Sequence, residues 1–220
     1  MEWEETYAWA VEEHARRSSR ARRPGEREDL RLASVAGASW AAGLAALMAG
    51  WPAEARAWLS RAADEYVVSW SAAPPGSWGR PLAALRCRLV AGDTAGAEVD
   101  AHRALDEGAL EADGATAAYC ACVALLVQRD DARAAAVGAS LAADPGFQPA
   151  AVARGLTAIA RGDAREYAIS AAEVLRSFDD RDAFLEDVRV ADTVLVLDAL
   201  AAARGLGRAP LVSPLLPRVS

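Results

Sequence analysis

A run of twenty-two residues without a single charge, from Leu32 to Ala53, constrains this chain more than any other feature. An amphipathic surface helix keeps a polar face for water, so a charge-free helix has to be buried on all sides. Small residues recur along the run at every fourth position, at Ala33, Gly37, Ala41, Ala45 and Ala49. The pattern predicts the central buried helix of an all-helical domain, with the next helix packed closely on this small stripe.

An uncharged helix of this length could also span a hydrocarbon layer about 30 Å thick. Composition favours burial in a soluble core, because most of these residues are Ala, Gly or Ser, which gain little from lipid. The N-terminal sequence MEWEETYAW is acidic and has no apolar secretory core. We therefore expect a cytoplasmic protein that does not bind a membrane.

Composition points to an all-α fold and excludes several functions. The 220 residues are 53% hydrophobic and rich in Ala, the best helix former, and they lack the alternating β-branched runs of strands. The net charge of −7 disfavours general binding to nucleic acid. All 24 basic residues are Arg, so the chain has no Lys for a Schiff base or a phosphate-binding loop.

Glycine, proline and acidic breaks divide the chain into about ten helices within one domain, residues 1–220. We predict an N-terminal helix over 2–22, four helical hairpins over 30–178, and a capping helix over 182–204 with an extended Pro-containing tail to 220. The tight connections of the hairpins read GWPAEA (50–55), GDTAGA (92–97), RDDARA (129–134) and GDAREY (162–167). Their recurrence, at spacings of 42, 37 and 33 residues, predicts a tandem array of αα-hairpins, an α-solenoid.

Between Leu30 and Phe178 the sequence resembles the tetratricopeptide-repeat superfamily. The resemblance is carried by helices that end in Gly-Asp and by alanines that open the next helix, at Ala95 and Ala97 and again at Ala132 and Ala134. The repeat spacing drifts, and the Trp-Leu-Gly-Tyr positions of the family's first helix are not all present. The resemblance implies stacked helix pairs that bind a protein or peptide.

Residues 155–217 resemble the bacterial immunity-protein family numbered forty-nine. The similarity rests on the Gly162-Asp163 turn, a long helix ending ALAAARGL and a tail containing SPLLP. Members are helical proteins encoded beside polymorphic toxins and are thought to neutralise them by binding. The resemblance therefore implies a toxin as the protein partner, and it carries no catalytic residue.

No residue pattern indicates a reaction, a metal site or a cofactor. His14 and His102 have no second ligand at helical spacing, and Cys87, Cys120 and Cys122 lack metal or redox spacing. The acidic run from Asp179 to Asp187 is similar to the aspartate-rich magnesium motif of helical prenyl-diphosphate enzymes, but the dipole of a helix starting at 182 also explains it. Two alternatives to a binding protein therefore stay open. One is an enzyme that uses this acidic run, and the other is a structural homo-oligomer.

Aromatic residues give the most specific clue to binding, because all seven tryptophans precede residue 80. They fill the core of an alanine-rich protein or line a groove. Trp78 lies in a Pro/Gly loop, where functional side chains concentrate. We predict a non-catalytic binding scaffold, of open oligomeric state, with four candidate binding residues: Trp70, Trp78, Arg86 and Tyr119. Arginine forks such as that of Arg86 would bind carboxylates of the partner.

Overall fold

A computed structural model describes residues 3–218, which form ten α-helices, one short 3-10 helix and no β-strand. The all-α prediction is confirmed. The helices are α1 (Trp3–Ser19), α2 (Glu28–Met48), α3 (Pro52–Ser71), α4 (Gly79–Ala91), α5 (Thr94–Asp106), α6 (Ala115–Val127), α7 (Asp131–Ala143), α8 (Ala150–Arg161), α9 (Ala164–Asp179) and α10 (Asp192–Ala202), with the 3-10 helix at Leu185–Asp187. Each helix from α1 to α9 packs on the next one along the chain.

The four tight connections predicted from sequence share one backbone geometry. In each, an amide donates to a carbonyl five residues earlier at 2.9 Å, which closes the end of the first helix: Trp51 to Ala46, Asp93 to Arg88, Asp130 to Leu125 and Asp163 to Ala158. The residue just before the donor has a positive φ, which favours glycine. This repeated turn explains why Gly-Asp recurs in the sequence.

Three of these four turns contain an aspartate that starts the second helix of its pair. The Asp93 carboxylate accepts a hydrogen bond from the Gly96 amide at 3.0 Å, and the Asp163 carboxylate accepts one from the Glu166 amide at 3.0 Å. Asp130 caps α7 in the same way. Such caps satisfy amides that have no partner within the helix, so each turn ends one helix and begins the next.

Helix α2 is buried continuously from Val35 to Ala46, as its lack of charge predicts. By length and composition it could cross a membrane, but 67% of its most apolar window is covered by the rest of the protein. At Gly43 the neighbouring helix comes so close that an added Cβ would lie 2.6 Å from Cγ of Leu59. This close contact with α3 is made at a glycine outside the predicted small stripe.

Two predicted helix boundaries are wrong. The N-terminal helix, predicted over 2–22, ends at Ser19, and residue 2 lies outside the described part. The capping helix, predicted over 182–204, begins only at Asp192. Val188 and Val190 are buried while their neighbours Asp187 and Arg189 are exposed, an alternation typical of extended chain. The apolar valines had suggested a helix, but their period is two.

The apolar core consists of two clusters that meet at α4. One cluster joins α1, α2, α3 and one side of α4 with Val188 and Val190, and the other joins α4 to α10. Val90 of α4 packs against both. Helix α4 therefore links the N-terminal helices to the rest of the molecule.

Gly43→Ala is expected to destabilise the protein, because the methyl group would overlap Leu59 and approach its backbone nitrogen, 3.1 Å from the ideal Cβ. Overpacking of this kind costs about 1–3 kcal/mol in the free energy of unfolding, measurable by urea denaturation. The matched control is Gly79→Ala, since a Cβ at Gly79 meets nothing within 4 Å. Equal stability of the two variants would contradict the close packing of α2 on α3.

Candidate functional site

The C-terminal segment, residues 184–218, packs back onto the helix pairs. Helix α10 contacts α4, α8 and α9, and the 3-10 helix contacts α2. Two hydrogen bonds hold the tail after α10. The Ala209 amide donates to the Tyr167 hydroxyl at 3.1 Å, and the Ala191 amide donates to the Leu215 carbonyl at 2.9 Å. The segment therefore covers surface that would otherwise be free for a partner.

Arg86, one of the predicted binding residues, is bound by this segment. Its guanidinium lies 2.8 Å from the Asp192 carboxylate and donates to the Thr193 hydroxyl at 3.2 Å. It also lies 4.8 Å from the ring of Trp40, a cation–π contact. The arginine fork expected to bind a partner carboxylate thus binds a carboxylate of its own chain.

The other three predicted residues lie in or against one core cluster. Tyr119 lies near Arg86, whose charge opposes the rise that burial causes in the pKa of the Tyr119 phenol. Trp70 is buried in the core cluster that joins α4 to α10, and the guanidinium of Arg103 lies 4.0 Å from the Trp70 ring. Trp78 and Tyr119 both pack, partly buried, against the core cluster that contains Trp70, and of these three residues Tyr119 is the one that interacts electrostatically with Arg86.

The acidic run 179–187 does not open a helix. Asp179 ends α9, Asp180 and Asp182 are exposed on the irregular chain after it, and Asp187 is exposed at the end of the 3-10 helix. Glu186 is 2.8 Å from Arg17 of α1. The helix-dipole explanation of the run is therefore wrong, because the helix begins five residues after its last member.

A cleft of about 490 Å³ opens where three of the helix-pair turns meet α10, and we call it the turn cleft. Its lining includes the turn residues Pro52, Gly92 and Arg129, the second half of α10, and Arg208 and Pro217 of the tail. Three lining leucines are only partly buried and give the cleft an apolar base that a ligand can contact: Leu47, Leu89 and Leu195. Volume and apolar lining are those of a ligand pocket.

Arginines dominate the charge of the turn cleft. Five line it against three acids, in a chain whose net charge is −7. Arg88 is neutralised by Asp64, Asp93 and Asp100, at 2.6, 2.8 and 3.1 Å. Arg204 donates to the Asp131 carboxylate at 3.0 Å and to the Leu126 carbonyl at 2.6 Å. These two arginines hold the walls together.

The remaining three arginines of the cleft, Arg56, Arg129 and Arg208, are exposed. None of their side chains makes a hydrogen bond or an ion pair within residues 3–218. Burial raises the pKa of the Asp198 carboxyl, and the nearby charge of Arg208 opposes that rise. Sequence reasoning missed these three arginines. A signal for Arg129 was present, because it stands where the other three turns have glycine.

Groups that could perform chemistry are engaged or widely separated. His14 lies 2.8 Å from the Glu65 carboxylate, and the three cysteines are buried as free thiols, with the pKa of Cys120 and Cys122 raised by burial to about 12. No group of three or more His, Cys, Asp or Glu within residues 3–218 could hold a metal ion. The lining of the turn cleft contains no His, Cys or Ser in this described part of the chain.

Comparison with protein-family models, curated proteins and solved structures found no match to this chain. The tetratricopeptide and immunity-protein resemblances therefore stay predictions. Functional inference depends on the site itself.

Asp192→Asn is expected to destabilise the protein, because it leaves the Arg86 charge, only 17% exposed, without its carboxylate. Breaking a buried ion pair on one side costs roughly 3 kcal/mol, and urea denaturation measures it. Replacing both partners, Arg86→Met with Asp192→Leu, should recover most of this loss. The control is Asp182→Asn, at an exposed residue. If Asp192→Asn and Asp182→Asn unfolded at the same urea concentration, docking of α10 through Arg86 would be disproved.

Proposed function

We propose that this chain is a non-catalytic binding protein that holds a protein or peptide partner on a rigid surface of stacked helix pairs. The observation that carries the proposal is the turn cleft, a partly apolar pocket in which the side chains of Arg56, Arg129 and Arg208 make no hydrogen bond or ion pair within residues 3–218. Its lining offers apolar side chains and charged groups for the recognition of a partner.

Rigidity supports this proposal. Three of the turns that line the cleft are closed by the same 2.9 Å hydrogen bond, and Arg88 and Arg204 fix the walls through carboxylates on other elements. A preformed surface loses little conformational entropy when a partner binds. We place the repeated turns within a tetratricopeptide-like α-solenoid, in which each helix pair stacks on the next.

Toxin neutralisation is the narrower form of the proposal, and it rests on the resemblance of residues 155–217 alone. An immunity protein acts by binding, so it requires a preformed surface and no catalytic group. A toxin gene beside the gene for this chain, with a product that binds the purified protein, would support it.

The enzyme alternative needs carboxylates of the run 179–187 to share a metal ion. Glu186 is paired with Arg17, and the exposed aspartates lie on irregular chain. Thermal stabilisation of the full chain by Mg²⁺ with inorganic diphosphate would favour an enzyme, and its loss in Asp182→Asn would locate the site.

The binding proposal is tested with the purified full chain as bait, followed by calorimetry with each captured protein made separately. We expect one partner to bind with a one-to-one stoichiometry and no chemical change in either protein. Hydrogen exchange of the complex should show slower exchange at the turns that line the cleft. Binding that protects only α1 and α9, which contribute no residue to the described lining of the cleft, or conversion of the partner to a product, would contradict the proposal.

A further inference from the structure

Arg129 occupies a backbone position that its side chain makes unfavourable. At the corresponding positions of the other turns, Gly50, Gly92 and Gly162 have φ values of 80°, 71° and 70°, and Arg129 has 62°. A left-handed conformation is strained for any residue with a Cβ and free of strain for glycine. Stability alone would therefore place glycine at 129.

The side chain of Arg129 brings no internal contact that would offset this strain. It is exposed, and it forms no hydrogen bond or ion pair within residues 3–218. Its backbone amide makes the same turn bond, to the Leu126 carbonyl at 3.2 Å, that the glycine amides make in the other turns. A strained residue without an internal function is most simply explained by an external one.

The turn cleft supplies the setting for that function. Arg129 comes from the α6–α7 turn, Arg56 from α3 and Arg208 from the tail, so the three free guanidinium groups reach the cleft from separate elements. The partly buried leucines at 47, 89 and 195 line the same cleft. Guanidinium groups bind carboxylates by paired hydrogen bonds, and the apolar base accepts an aliphatic side chain.

We infer that the turn cleft binds an acidic peptide segment of a partner protein, with carboxylates on Arg56, Arg129 and Arg208 and an apolar side chain on the leucines. The inference rests on the proposed binding function and names the chemistry of its site. A nucleic acid fits less well, because the overall charge of −7 repels a long polyanion and only three of the described arginines lining the cleft are free.

The probe is a short, fluorescently labelled peptide of glutamates around one central leucine, and its control replaces every glutamate by glutamine. Fluorescence anisotropy should show about tenfold tighter binding of the glutamate peptide, a difference that shrinks with added salt. Arg56→Gln and Arg129→Gly should each weaken binding several-fold. Arg165→Gln, at an exposed arginine of α9 outside the cleft, should leave it unchanged.

Arg129→Gly separates function from folding. The variant removes the strained Cβ, so its melting temperature should equal or exceed that of the original chain while its peptide affinity falls. Equal binding of both peptides, equal weakening by Arg165→Gln, or unchanged affinity of Arg129→Gly would overturn the inference. Displacement of the peptide by inorganic phosphate beyond the effect of ionic strength would also overturn it, because it would assign the cleft to phosphate.

Failure of the acidic-peptide site can be distinguished from failure of the proposed binding function. A captured protein partner whose affinity is the same for the original chain and Arg129→Gly would keep the binding function and reject the acidic-peptide site. Peptide binding that follows the arginines, without any protein partner, would keep the site and reject the scaffold function.

Discussion

Docking of the C-terminal segment onto the helix pairs is the constraint on which the functional geometry depends. The segment ties Arg86 to Asp192, and it holds its tail through Tyr167 and Ala191. It covers part of the surface of α4, α8 and α9, and it forms one wall of the turn cleft. The packing of the C-terminal segment on the helix pairs thus determines which surface is left open to a partner.

Close packing of small residues makes this arrangement possible. Alanine and glycine along α2 allow Leu59 to approach at Gly43, and Oε1 of Glu186 would lie 2.5 Å from a Cβ at Gly37. Glu186 also forms an ion pair with Arg17 of α1. The small residues of α2 therefore allow both α3 and the 3-10 helix to pack closely on it. A larger side chain at either glycine would separate elements that α2 holds together.

Local features could be predicted from the sequence, and long-range ones could not. The burial of α2 followed from its lack of charge, and the turns followed from Gly-Asp, because both signals act within a few residues. The hydrogen bond from Arg86 to Thr193 joins residues 107 positions apart, and no local sequence pattern predicts it. The alternation at Val188 and Val190 was local and visible, but apolar content outweighed periodicity in the prediction. The glycine position held by Arg129 was likewise visible once the four turns were aligned.

The most direct measurement is hydrogen exchange of the unliganded protein, resolved by segment. If the C-terminal segment is part of the fold, the amides of α10 should exchange as slowly as those of α4 and α6, through global unfolding alone. Exchange of α10 orders of magnitude faster than that of α4 would contradict the account, because the segment would then leave the surface while the helix pairs stay folded.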